Sequence, residues 1–117
     1  MVLNTLEMAS KPSSFLELLA QMSSHCVKFT GLKMSGHIQK EDSYALVHSL
    51  PKLEYLNLGK SCMTKNELMM IIEGLKEMKK LIVNECVGFQ VDDEVKKRSF
   101  GIQTFQHEGC ELRIDDG

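Results

Sequence analysis

The feature that most constrains this chain is one spacing that appears five times. Leu53, Leu56 and Leu58 put apolar residues at the first, fourth and sixth places of a short stretch. The same spacing holds Met78, Leu81 and Val83, then Phe29, Leu32 and Met34, and also Leu3, Leu6 and Met8. A fifth, degenerate copy runs Ile102, Phe105 and His107, with a histidine where an aliphatic residue belongs. The first places fall at 3, 29, 53, 78 and 102, in steps of 26, 24, 25 and 24. A period of this length marks a stack of like units, each too small to bury its own apolar face.

Between the copies lie segments patterned as helices. Ser14 and Glu17 have the spacing of a capping box, with Phe15, Leu18, Leu19 and Met22 on one face behind it. Glu41 and Asp42 open a second helix, with Tyr44, Val47 and Leu50 inward and Pro51 as its stop. Thr64 and Glu67 give the clearest capping box, ahead of Leu68, Ile71, Ile72 and Leu75. Asp92, Asp93 and Glu94 start a fourth helix, with Lys96, Lys97 and Arg98 toward its end, which suits the helix dipole. Val95 and Phe100 are its inward candidates. Each unit is therefore a short strand followed by a helix. The expected fold is α/β: a short solenoid of four to five strand–helix units, with a parallel sheet on the concave side and helices on the convex side.

The spacing has a known counterpart. Met78-x-x-Leu81-x-Val83-x-x-Cys86 resembles the cysteine-containing leucine-rich repeat, as does Cys26-x-x-Phe29-x-x-Leu32-x-Met34. Thr64-Lys65-Asn66-Glu67-Leu68 resembles the polar helix start of that repeat. The stretch from Cys26 to Cys86 is similar to the C-terminal repeats of plant F-box/leucine-rich-repeat proteins. Those are substrate receptors of cullin-type ubiquitin ligases. The resemblance implies one leucine-rich-repeat domain over 1–117, clearest in 26–88, with a degenerate repeat and cap in 89–117. It implies a scaffold for recognising protein in the ubiquitin pathway. No F-box is visible, since nothing reads as a Leu-Pro start followed by three packed helices. Cys62 stands one place late for the motif.

Composition agrees with one globular domain. The chain has 117 residues, 43% hydrophobic and 26% charged. A formal net charge of −2 excludes a nucleic-acid binder acting through bulk positive charge. No apolar run approaches the roughly 18 residues of a membrane span, and the N-terminus lacks the pattern of a secretory signal. The four cysteines are read as reduced thiols, which points to the cytoplasm or nucleus.

In a stack of this kind, residues beside the apolar strand positions point to the open sheet face. Three rows follow: Thr5, Gly31, Tyr55, Lys80 and Thr104; Glu7, Lys33, Asn57, Ile82 and Gln106; and Ala9, Ser35, Gly59, Asn84 and Glu108. Within them Tyr55, Asn57, Ile82, Lys33, Lys80 and Asn84 form the candidate partner-binding patch, because an outward Tyr beside an outward Ile suits a protein contact. An ordinary solvated sheet face is the alternative.

No catalytic residue, cofactor or metal site is expected. Cys62, Cys86 and Cys110 are spaced by 24, yet no close Cys pair anchors a zinc site, and small residues packed in the turns explain them. No local signature marks a Cys–His nucleophile. The glycines are dispersed, without a phosphate loop. Leu3, Leu6 and Met8 begin at once, with Phe15, Leu18 and Leu19 behind them, so the first unit has an uncovered apolar edge. Earlier repeats, a second copy or a partner are the ways to cover it, and self-association through that edge is the alternative function. At the other end, Leu112 and Ile114 are placed to form a last strand and cover.

Overall fold

The structure, a computed structural model, describes residues 5–24 and 30–112. Among these residues five strands of three residues alternate with four helices. The strands are β1 (Thr5–Glu7), β2 (Gly31–Lys33), β3 (Tyr55–Asn57), β4 (Lys80–Ile82) and β5 (Thr104–Gln106). The helices are α1 (Phe15–Ser24), α2 (Lys40–Ser49), α3 (Lys65–Gly74) and α4 (Asp93–Arg98). The strands form one all-parallel sheet in chain order, and each helix packs on the next. This architecture is compatible with a repeat solenoid.

The register follows the sequence period. Leu6, Leu32, Leu56, Leu81 and Phe105 are successive partners across the sheet. The backbone repeats one bond at each step beyond the strand: Met8 N–H donates to Lys33 O, Met34 to Asn57, Leu58 to Ile82 and Val83 to Gln106, all at 2.8–3.0 Å. A second ladder of isolated parallel bridges runs His37, Cys62, Val87 and Glu111. The central strand residues Leu32, Leu56 and Leu81 are sealed against Leu46, Leu68 and Ile71 of the helices, with Ile38, Met63 and Phe89 closing the layers below. Toward the ends the packing thins. Leu6 and Met8 at β1, and Ile102 and Phe105 at β5, are only half-buried.

The helices begin where their capping residues stand. Thr64 caps α3 with reciprocal bonds to Glu67, as its sequence predicts. Asp92 caps α4 by accepting from Val95 N–H at 3.0 Å, and Val95 is buried as expected. In α2 the capping box is Gln39 with Asp42, so the first turn starts one place before Glu41.

Several inward positions differ from the sequence reading. Tyr44 is 59% exposed, and α2 instead turns Asp42, Ser43 and Leu46 inward. The core face of α2 is partly polar, so its apolar residues misreport its orientation. Phe100 is 91% exposed, because α4 ends at Arg98 and the buried Ser99 takes the inward place. Leu112 is half-exposed and no strand follows β5 among the described residues, so this leucine does not cover the C-terminal layer. Ile114 and Leu3 lie outside the described residues.

Ser43 Oγ is buried without a hydrogen-bond partner among the described residues. A hydroxyl in that position carries its desolvation cost uncompensated, and alanine is the better helix former. Ser43→Ala is therefore expected to raise stability by about 1 kcal/mol, read as a shift in the urea midpoint at constant slope.

The short helix α4 is tied to α3 by ions as well as by Val95. Lys65 Nζ reaches Asp92 at 2.8 Å and Glu94 at 2.6 Å, and Arg98 pairs with Glu73. The Lys65 ammonium holds both carboxyls below their usual values, chiefly through direct hydrogen bonds, and its own value is raised by them. Depressed carboxyl values stabilise the fold above the unfolded-state range, and that contribution is lost as pH falls through the folded values. Amide protection in α4, corrected for the intrinsic pH dependence of exchange, is expected to fall below about pH 4 before protection in α3, and to start lower in high salt.

Candidate protein-interaction site

The parallel register aligns two of the three outward rows as the period requires. Gly31, Tyr55, Lys80 and Thr104 align, and so do Lys33, Asn57, Ile82 and Gln106. Both rows lie on the face away from the sealed residues. Lys33 and Lys80 are exposed, while Tyr55, Asn57, Ile82 and Asn84 are half-buried. Four of these six, Lys33, Asn57, Ile82 and Asn84, line one open groove of about 330 Å³. Tyr55 and Lys80 stand one row above it, at the start of their strands.

The two asparagines have structural duties there. Asn57 Oδ1 accepts from Gly59 N–H at 2.9 Å, closing the turn after β3, and its amide donates to Tyr55 Oη at 3.3 Å. Asn84 Oδ1 accepts from Glu108 N–H at 2.8 Å, and its amide donates to Gln106 at 3.4 Å. Each Asn thus fixes the end of a strand and presents only its remaining polar capacity to a partner.

Besides Met8 and Met34 of the apolar triplets, two groove residues escape the row pattern: Lys60 and Glu85. They occupy the same turn position in successive units, with φ of 61° and 58°. Glycine fills that position at Gly36 and Gly109, with φ of 150° and 75°. The signal in the sequence was the run Gly36, Lys60, Glu85 and Gly109, two residues beyond the last four triplets, in which two charges stand between two glycines.

The cysteines sit differently from their even spacing. Cys86 is buried and its Sγ donates to Leu58 O at 3.1 Å. Cys110 is half-buried and donates to Val83 O at 3.0 Å. Cys62 is exposed, because it pairs with Val87 rather than aligning with Cys86. Ser61 takes the buried place in that unit, and its Oγ accepts from Gly36 N–H at 3.2 Å. Cys26 lies outside the described residues. Among the described residues no group of three His, Cys, Asp or Glu side chains is placed to hold a metal ion.

Burial pushes the Cys86 thiol up to about 11 and the Cys110 thiol upward as well. A thiol held protonated is a poor nucleophile. Under native conditions near pH 7.5, Cys86 is expected to react with iodoacetamide more than ~100-fold more slowly than a free thiol, with Cys62 labelled well before it. Peptide mapping over time measures both.

A second groove, of about 560 Å³, lies outside the sheet face, between α1 and α2. It is largely apolar and is lined by Leu16, Ala20, Tyr44, Ala45 and His48 among others, with the Tyr44 and His48 rings 4.0 Å apart.

Comparison with known proteins gives one distant relationship. An F-box protein of Arabidopsis thaliana, SKIP19, is 28% identical to the chain over 88 residues, which is 73% of this chain and 29% of that relative. The chain thus spans less than a third of the length of the relative it matches. No family model matches, and no solved structure matches significantly. The chain is therefore distantly similar to a plant F-box protein. Each described helix is separated from the next by a strand, so no run of three consecutive helices lies among the described residues. No described helix is long and apolar enough to cross a membrane.

Proposed function

We propose that this chain is a non-enzymatic protein-recognition module, a short leucine-rich-repeat solenoid over 1–117 that acts beside ubiquitin-dependent turnover. Its partner docks on the concave sheet face, at Tyr55, Asn57, Ile82, Lys33, Lys80 and Asn84. The observation that carries this reading is the groove that gathers Lys33, Asn57, Ile82 and Asn84 from three successive strands and their turns. A half-exposed aliphatic among polar side chains on a rigid face is suited to protein contact. The distant F-box relative supports the ubiquitin context, and the cytoplasm or nucleus is the matching location. The test is affinity capture from plant extract, with the Tyr55→Ala/Ile82→Asp double variant beside the helix-face variant Tyr44→Glu. Loss of the captured protein with the first and retention with the second supports the sheet face. Equal capture by both variants refutes it.

One observation favours a second reading, self-association. Among the described residues β1 has a strand neighbour on one side only, and Leu6, Met8 and Leu18 behind it are half-buried. An open strand edge backed by apolar surface invites pairing. Sedimentation velocity separates the two. A dimer dissociated by Leu6→Lys, with partner capture intact, assigns the edge to assembly.

A further inference from the structure

We infer that the sheet-face groove takes a partner segment that sets a carboxylate over β2 and β3 and an aliphatic side chain on Ile82. The inference rests on the recognition reading above and gives the partner its chemistry. Across the groove the charges are ordered. Lys33 on β2 and Lys60 after β3 lie on one side, Ile82 on β4 lies beyond them, and Glu85 follows β4. Four cations are matched within the fold, Lys11 to Asp42, Lys65 to Asp92 and Glu94, Lys79 to Glu54, and Arg98 to Glu73, while Lys40, Lys52, Lys76, Lys80, Lys96 and Lys97 stand exposed outside the groove without an ion pair among the described residues. The side chains of Lys33 and Lys60 make no ion pair or hydrogen bond among the described residues, although Glu7 is Lys33's neighbour across β1. Two unmatched ammonium groups beside an apolar floor favour an acid-bearing ligand.

The backbone adds an independent argument. Lys60 and Glu85 hold left-handed conformations at a turn position where Gly36 and Gly109 serve the neighbouring units. A side chain there costs on the order of 1 kcal/mol relative to glycine, so these two charges stand where the fold alone favours none. Residues held so tend to lie at functional sites. Glu85 repels an acid from the β4 side and so fixes which way the segment lies. Gly59 lies close against its neighbours at the groove, since a Cβ there would come within 3.2 Å of Asn57 Oδ1 and 3.3 Å of Asn84 O.

The test is an NMR titration of the whole 15N-labelled chain with three short peptides: N-acetyl-Asp-Leu-amide, N-acetyl-Asn-Leu-amide and N-acetyl-Lys-Leu-amide. The Asp peptide is expected to shift the amides of Lys33, Gly59, Ile82 and Asn84 and to bind about fivefold more tightly than the Asn peptide, with the Lys peptide weakest. Lys33→Glu with Lys60→Glu is expected to invert the order of the Asp and Lys peptides. Glu85→Gln is expected to strengthen the Asp peptide alone. The free-chain spectra report whether each variant is folded. Equal responses to the three peptides, no response at millimolar concentration, or shifts confined to α1 and α2 overturns the inference. Capture that still depends on Tyr55 and Ile82 would then leave the recognition reading standing without this charge preference.

Discussion

Gly88→Ala is expected to destabilise the fold by about 3 kcal/mol. Gly88 has φ of 111°, and a Cβ built on it lies 2.2 Å from the Met63 carbonyl oxygen and 3.0 Å from its carbon. Both obstacles are backbone, so no side-chain rotation relieves them. The contact occurs because Gly88 passes directly against the preceding unit, beside the bridge that joins Cys62 to Val87. Neighbouring layers would have to separate to admit a methyl group. Gly101→Ala is the control: nothing lies within 4 Å of its Cβ position, and its effect is expected to stay within about 0.5 kcal/mol. Urea unfolding of the two variants measures the contrast.

The second large effect is expected at the N-terminal side. Asp42 is 4% exposed, and its carboxylate accepts from Lys11 Nζ at 2.7 Å and from Gln39 N–H at 2.8 Å. Lys11 also donates to His37 O at 2.7 Å. One ammonium thus ties the segment after β1 to the start of α2 and to the turn after β2. Removing one partner leaves a buried charge unmatched, which costs more than the pair contributes by itself. Lys11→Ala is expected to cost about 3 kcal/mol, and Lys11→Ala with Asp42→Asn less than the sum of the single changes. A double-mutant cycle by chemical denaturation reads the coupling, and additive single effects would show that the two groups do not act together.

How much of this was legible in the sequence depends on what each residue answers to. Strand register was legible because a 24–26-residue step returns Leu6, Leu32, Leu56 and Leu81 to the same place in successive units. The outward rows follow from that step, since strand neighbours alternate faces. The caps at Thr64 and Asp92 were legible because capping is local chemistry. The orientation of α2 was not, because its inward face carries Asp42 and Ser43 while Tyr44 packs on His48 outside. Asp42 belongs inside only because Lys11, 31 residues away, comes to meet it. The late place of Cys62 was legible, since the buried place follows the count from Leu58 and falls on Ser61, but the even spacing of the cysteines wrongly grouped Cys62 with the packed thiols. Lys60 and Glu85 joined the groove through turns whose left-handed backbone no apolar pattern encodes.

The central claim is that side chains one period apart lie in adjacent layers of a single parallel sheet. Methyl-labelled NOE spectroscopy on the leucines tests it most directly. Adjacent strands stand about 4.8 Å apart and next-nearest strands about twice that. Leu32 should therefore show strong NOEs to Leu56, and Leu56 to Leu81, with none of comparable strength between Leu32 and Leu81. Absence of the two neighbouring contacts, or a strong contact between Leu32 and Leu81, would contradict the stacked arrangement and remove the groove built upon it.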